Sequence, residues 1–378
     1  ISDGDSDTSS SEHRRLRRIV RRCPSLTKIY WPPWCAPNAL MQCALLGFKE
    51  FRARLLQGRP YIREVLRMRD GAQIALDWIL PAQSGAKAVQ PASPEESPVC
   101  VLLHGSFQDS SSVTMSDLAR SLAAGGLPVV VMNRRGYGGL GLSGPPEARR
   151  LAFYGLDEDL DEVLEAVGRR EPGRPVAIVG FSSGAGFAAR YIGNRKHLSV
   201  WQRAPAAPVG QLPRLLCCVL LDSGYDVAAV APRVSMPVGC MLKLGLKYWY
   251  SFRHRHALKE AAPVVREAAR RLLSPGRGLL ETYAELQGLS GAVSRSDWLD
   301  LQQGHLTAVQ VPSLLINSRD DPVAVWANVE ASRKQIASNP HLALAELRCG
   351  AHNCKYDLWG TSSVADSMIR EFILAAWC

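Results

Sequence analysis

From Val99 onward, short and mostly apolar runs alternate with longer stretches of helical periodicity. The runs Val99–Leu103, Pro128–Met132, Val176–Val179, Leu215–Leu221, Ser313–Asn317 and Leu342–Arg348 have the length of strands. Strands that are apolar along their whole length, without the alternation of a half-exposed sheet, are buried on both faces, as in a parallel sheet. The intervals Asp117–Ala124, Asp157–Arg169, Gly184–Ile192, Ala324–Ile336 and Ser363–Ala375 predict the crossover helices. This rhythm predicts an α/β protein, a mostly parallel central sheet with helices on both faces. Upstream, Tyr61–Met68 and Ala72–Leu80 predict two strands joined through Arg69-Asp70-Gly71, a strong hairpin signal, and 81–98 reads as a Pro/Ala/Ser/Gly loop. Between Ala228 and Val309 the rhythm fails. The segments Met236–Tyr250, His254–Leu273 and Tyr283–Trp298 within it predict a helical lid inserted over a site.

Ahead of the sheet, residues 1–58 read as an N-terminal arm and 59–378 as the domain that carries the sheet and the lid at about 228–309. Ile1–Glu12 is acidic and serine-rich, which predicts disorder. A basic segment, His13–Arg22, follows, and then a helix over Pro37–Leu56. The 378 residues, 47% hydrophobic and 21% charged, are those of an ordinary globular chain with ample length for a core. A net charge of +10 turns attention to acidic partners. No zinc-finger spacing, RNA-binding signature or basic–aromatic stripe accompanies it, so nucleic acid is not an expected partner. Much of the excess sits in HRRLRRIVRR, which suits an anionic membrane surface or a solvated tail.

Ten cysteines are scattered without a C-x-x-C pair, which argues for a reducing compartment and against a zinc or dithiol centre. His254 and His256, set among Arg253 and Arg255, read as a solvated face in preference to a ligand pair. No metal or organic cofactor is expected. The uncharged stretch Tyr30–Phe48 has only ten residues after Asn38, short of the ~20 that span a bilayer. The expected location is therefore membrane-associated or cytoplasmic, with an upstream anchor left open because the chain begins at Ile1.

The chemistry is concentrated where apolar runs end. Val176–Val179 runs into Gly180-Phe181-Ser182-Ser183-Gly184 and then a small-residue helix, the strand, turn and helix of a nucleophile elbow with Ser182 at its apex. A serine hydroxyl needs a histidine base, and the imidazole needs a carboxylate to hold its tautomer. The elbow predicts chain order: serine, then an acid past a later strand, then a histidine past the last. Ser313–Asn317 leads into Asp320-Asp321-Pro322, and Leu342–Arg348 leads into Cys349-Gly350-Ala351-His352. Asp321, directly before the proline, is the preferred acid, with Asp320 as a cap or pairing group. The oxyanion donors expected are the N–H of Ser183 and that of Ser106 or Phe107 in the loop His104-Gly105-Ser106-Phe107. His104 precedes the nucleophile and is assigned to holding that loop.

From about Pro32 to the end, these features in their order resemble the alpha/beta-hydrolase-domain (ABHD) proteins. The likeness is to the branch of membrane-associated esterases and phospholipases related to the bacterial YheT-like hydrolases. It rests on Pro33-Trp34 with Asn38, Asp70-Gly71 before Leu76-Asp77-Trp78, His104-Gly105 and Asn133-Arg134-Arg135-Gly136. It continues through Phe153-Tyr154, Asp159-Leu160, the elbow with Tyr191-Ile192-Gly193, Asn317–Pro322 and Gly350-Ala351-His352. The resemblance implies the alpha/beta-hydrolase fold, a triad of Ser182, Asp321 and His352, and a serine hydrolase of the carboxylesterase or lipase type. Its substrate would be a short-chain ester, a monoacylglycerol or a phospholipid. The chain departs from the pattern at Gln108-Asp109-Ser110, at Ser183 and Ala185, and at Asn353-Cys354-Lys355, positions that shape the pocket. Two other uses of the fold stay open: a catalytically silent scaffold or binding protein, and an acyltransferase that passes the acyl group to an alcohol.

Overall fold

The computed structural model describes residues 4–56, 61–81, 97–194, 212–291 and 305–378. Eight strands form one sheet: β1 (Ile62–Arg67), β2 (Gln73–Ile79), β3 (Val99–Leu103), β4 (Val129–Asn133), β5 (Val176–Phe181), β6 (Leu215–Leu221), β7 (Ser313–Ser318) and β8 (Leu342–Leu347). Their order across the sheet is β1-β2-β4-β3-β5-β6-β7-β8, with β1 and β2 antiparallel to their neighbours and the rest parallel. Every strand read from the sequence is present. The hairpin closes where Asp-Gly placed it, with Arg67 opposite Gln73 and Gly71 at φ +88°.

The apolar strands serve two cores at once. On β5, Val176 and Ile178 face one cluster while Ala177, Val179 and Phe181 face the other. The first cluster is roofed by α4 (Asp157–Arg170), α5 (Ser183–Gly193), the lid, and α9 (Ala327–Ser338). The second is covered by α1 (Gly4–Arg21), α3 (Val113–Ala124) and α10 (Val364–Trp377). One charge inside strand β2 is fully answered: Asp77 accepts from Arg63 at 2.6 and 2.7 Å, from the Ser110 hydroxyl and from Asn133 Nδ2 at 2.9 Å. Buried carboxylates survive in a sheet only when paired in this way.

The arm differs from its sequence reading. Where Ile1–Glu12 was expected to be disordered, the backbone is helical from Gly4, and α1 continues without a break through the basic segment. Basic residues at its C-terminal turn, Arg18 and Arg21, complement the helix dipole. Leu16 and Ile19 are buried against α10, and the Ser25 hydroxyl and backbone N–H both donate to Glu371, at 2.7 and 2.8 Å. The six arginines of the segment remain exposed.

The second N-terminal helix, α2 (Ala39–Leu56), starts close to its expected position. The lid is a bundle of α6 (Met236–Tyr250), a short turn at Arg255–Lys259, α7 (Pro263–Leu273) and α8 (Leu279–Gly288). Pro263 divides the expected His254–Leu273 helix, because a proline cannot continue one from its interior. Residues 292–298 of the third expected lid helix lie outside the described residues. His254 corrects its reading as a solvated side chain. It is 7% exposed, wedged against Gly136, and burial pushes its pKa down to about 4. Among the described residues no helix is long and apolar enough to cross a membrane.

Candidate active site

Every parallel strand ends at the same edge of the sheet, and the candidate residues stand in the loops just past those ends. Ser182 links β5 to α5 at φ +52°, ψ −117°, a conformation that costs a non-glycine residue strain. The neighbouring glycines explain how the chain accepts it. A Cβ on Gly184 would lie 2.2 Å from the Leu103 carbonyl oxygen, and one on Gly180 would lie 2.5 Å from that of Gly184. Strand and helix approach too closely here for any side chain.

Three of the candidate residues meet. His352 Nε2 is 2.8 Å from Ser182 Oγ, and its Nδ1 is 2.8 Å from Asp321 Oδ2. The other Asp321 oxygen accepts from the backbone N–H groups of Val323 and Ala324 at 2.7 and 2.8 Å. Asp320 turns elsewhere and accepts from the N–H of Ala351 at 2.9 Å, bracing the histidine loop. Burial by itself would lower the pKa of His352, but the charge of Asp321 and the hydrogen bond to it outweigh that, and the net shift is upward from 6.5. Burial would raise Asp321, and the same partnership with His352 reverses it to a net lowering.

The oxyanion-loop candidates sit beside the serine. Ser106 Oγ donates to Ser183 Oγ at 3.0 Å, and Ser183 opens α5, where a backbone N–H has no intrahelical acceptor. Phe107 is held at φ +66°, with its ring under Gly245 of the lid. Gln108, a departure from the family pattern, is a brace: its side-chain oxygen accepts from the N–H of Gly105, and its amide donates to Thr114 at 2.9 Å. His104 is neutral, since burial and then the Arg134 charge push its pKa well below 6.5. Its Nε2 accepts from the backbone N–H of Arg134 at 3.2 Å, which leaves Nδ1 to donate to the Gly105 carbonyl at 2.8 Å.

Sequence reasoning gave no role to three further groups. Arg134, 4% exposed, donates through Nη2 to the carbonyls of His104 and Gly105 and to Ser183 Oγ, at 3.1 to 3.2 Å. Asp222, directly after β6 at φ +48°, accepts from the N–H of Asn353 at 2.7 Å and from Lys355 Nζ at 2.5 Å. That fully buried pair holds both sides of the histidine loop. The oxygens and nitrogens of Asp222, Asp321 and His352 lie within 4.8 Å of one another, a metal-like spacing. Asp321 and His352 engage each other and Asp222 Oδ2 is held by Asn353 and Lys355, so hydrogen bonds already tie the cluster together, with Asp222 Oδ1 alone unpartnered. The only local signals for these residues were Asn-Arg-Arg-Gly after one strand and an aspartate after another.

A cavity of about 270 Å3 opens over Ser182. At roughly 10–15 Å3 of such space per water, it is many times the room one water needs. Cys43, Leu46 and Glu50 of α2 line one side, and Met241, Leu242 and Leu246 of α6 another. Lining by α2 was not legible, because nothing in the helix's own pattern points to the site.

Comparison with known proteins agrees with this architecture. A sequence profile described as the alpha/beta hydrolase family matches residues 100–356. Phospholipase ABHD3 of Mus musculus is 24% identical over 380 residues, covering 95% of this chain and 81% of its own. Medium-chain fatty acid ethyl ester synthase/esterase 2 of Saccharomyces cerevisiae is 24% identical over 298 residues, covering 71% of this chain and 61% of its own. Among solved structures, an esterase of Pyrococcus furiosus superposes with a TM-score of 0.50 at 14% identity, covering 83% of this chain and 90% of that one.

Proposed function

This chain belongs to the alpha/beta hydrolase family, and from that premise we propose that it is a serine hydrolase cleaving carboxylic esters of acyl chains through an acyl-enzyme. The observation that carries the reading is the unbroken line Ser182 Oγ, His352 Nε2, His352 Nδ1, Asp321 Oδ2, with 2.8 Å at each hydrogen bond. In the proposed cycle, His352 Nε2 takes the proton as Ser182 Oγ attacks the ester carbonyl. Asp321 holds the Nδ1–H tautomer and stabilises the imidazolium. The N–H of Ser183 and that of Ser106 or Phe107 receive the oxyanion. His352 then gives its proton to the departing alcohol, and water, deprotonated by the same nitrogen, releases the acid. No step calls for a metal or organic cofactor.

The apolar cavity walls and the phospholipase and esterase names among the relatives support a lipid-like ester: a short-chain ester, a monoacylglycerol or a phospholipid. A fluorophosphonate probe is the direct test. Labelling of the wild type but not of Ser182→Ala is the expected result; an unlabelled wild type would refute the enzyme reading and leave a silent scaffold. A panel of p-nitrophenyl esters, followed by lipids, then grades acyl length and head group. The yeast relative's name favours one second reading, transfer of the acyl group to an alcohol in place of water. Ester formation outrunning hydrolysis in the presence of ethanol or lysolipid would select it. A contact with an anionic membrane surface is also proposed, through the exposed arginines of α1 alone, since its apolar side is buried. Salt-sensitive sedimentation with phosphatidylserine vesicles, lost when those arginines become glutamine, is the expected behaviour; unchanged binding refutes it.

A further inference from the structure

Two thiols meet at the wall of the cavity. Cys43 projects from α2 on the face that also presents Leu46 and Glu50, and it lines the same cavity as Ser182 and His352. Cys354 follows the histidine by two residues, is fully buried, and donates its S–H to the His352 carbonyl at 2.8 Å. The two thiols lie close enough to influence each other across a sequence distance of more than three hundred residues. One sulfur therefore belongs to a helix that walls the cavity, and the other to the loop that holds the base.

We propose that Cys43 and Cys354 form a covalent modification site in the substrate cavity, a dithiol that peroxides oxidise to a disulfide, tying α2 to the His352 loop and stopping turnover. The surroundings of Cys43 suit it to be the thiol that reacts first. The neighbouring Cys354 thiol is the largest influence, and with the backbone and charge of His352 it overcomes burial to bring the pKa down to about 7, while the same contact and burial push the Cys354 thiol upward. A lowered pKa raises the thiolate share near neutral pH, and the thiolate is the nucleophile. The cysteines inside the strands are the internal contrast: burial raises the thiol pKa of Cys217 to about 12 and pushes those of Cys100 and Cys218 upward as well.

The steps balance. The Cys43 thiolate attacks one oxygen of a peroxide; an S–O bond forms, the O–O bond breaks, and the departing oxide leaves as water or alcohol after taking a proton. The peroxide has accepted two electrons, and Cys43 has become a sulfenic acid. Cys354 sulfur then displaces hydroxide from Cys43 sulfur, forming S–S and breaking S–O, while its proton leaves with the hydroxide as water. Forming this bond removes the S–H that Cys354 gives to the His352 carbonyl. It also fixes the position of α2 over the nucleophile. A dithiol reductant reverses both changes by exchange.

The test uses the full chain treated with hydrogen peroxide and then with dithiothreitol, followed by peptide mass mapping and by hydrolysis of a p-nitrophenyl ester. The expected result is a Cys43–Cys354 linked peptide two hydrogens lighter than its parts, a fall in rate of about tenfold or more, and recovery of both on reduction. Each of Cys43→Ser and Cys354→Ser should keep its own starting rate through the peroxide step. Absence of the linked peptide, or equal loss in the serine variants, overturns the proposal. Should either variant fail to fold, limited alkylation of the wild type with iodoacetamide reads the same site. Cys43 should be taken before Cys100, Cys217 and Cys218, and not at all after peroxide; uptake in any other order overturns it. The activity readout rests on the esterase reading, whereas the linked peptide does not. A preparation that forms the disulfide but hydrolyses no ester would refute the function and leave the dithiol standing.

Discussion

The floor and the roof of the cavity are built on different principles. On the floor, the supporting polar groups are held more than once: Asp321 by His352 and two backbone N–H groups, Asp222 by Lys355 and Asn353, the oxyanion loop by Gln108, Arg134 and His104. The roof, made by α2 and α6, touches the cavity mainly with apolar side chains and turns others outward. Leu40, Phe48, Phe51 and Leu55 of α2 are exposed, as are Met236, Leu244 and Tyr248 of α6. An over-determined floor fixes one chemistry, because any displaced group leaves several others unsatisfied. An apolar roof fixes little beyond volume, so on the proposed function it can change its preference among acyl groups without disturbing the reaction.

The contrast predicts a graded series of effects. Ser182→Ala should abolish nearly all turnover, a loss on the order of 10^4- to 10^6-fold in kcat, and a residual rate within tenfold of wild type would move the nucleophile elsewhere. Asp321→Asn should cost about 10^4-fold by leaving the imidazole without its tautomer partner. It should also move the pH profile in a definite direction. Because His352 must be neutral to act as a base and its pKa is raised, wild-type kcat/KM should fall as pH drops through a value above 6.5. Removing the Asp321 charge leaves burial dominant, so the acidic limb of the variant should shift to lower pH. An unmoved limb would show that Asp321 does not set the base.

Next in size is the support beneath the histidine loop. Lys355→Met leaves Asp222 buried and unpaired, which should cost about 3–5 kcal/mol of unfolding free energy. Adding Asp222→Asn in the same chain should return part of it, measured by urea denaturation; an additive loss would mean the two groups do not act as a pair. The smallest effect belongs to the roof. Met241→Ala should change the ratio of kcat/KM between long and short acyl esters by about tenfold or less, with fluorophosphonate labelling of Ser182 and thermal stability unchanged. A loss of labelling there would place part of the chemistry in the lid and dissolve the contrast.

The same division marks what a sequence makes legible. The strands were readable from apolar runs, and Ser182, Asp321 and His352 from where those runs stop, since strand ends and turn residues are local signals. Asp222 and Lys355 were not, although Asp222 also follows a strand. Their meaning lies in a pairing across 133 residues that no local pattern records. Gln108 looked like a departure until its amide was seen to take the place of a tighter loop. Helix α2 gave no hint of its position over the cavity, and the acidic start of the chain hid a helix whose apolar residues begin only at Leu16.

Helix α1 has a consequence for how the molecule is made. One face of the sheet is covered by α3 together with α1 and α10, with Leu16 and Ile19 in the same cluster as Ile369 and Phe372. In chain order α1 comes before the sheet and α10 after it. Until α10 is made, α1 has only β8 to lie against and the back of β6 stays open. The fold therefore closes like a clasp, late and from both sides. Trimming α1 or α10 should leave nascent chains stalled in the same unfinished form.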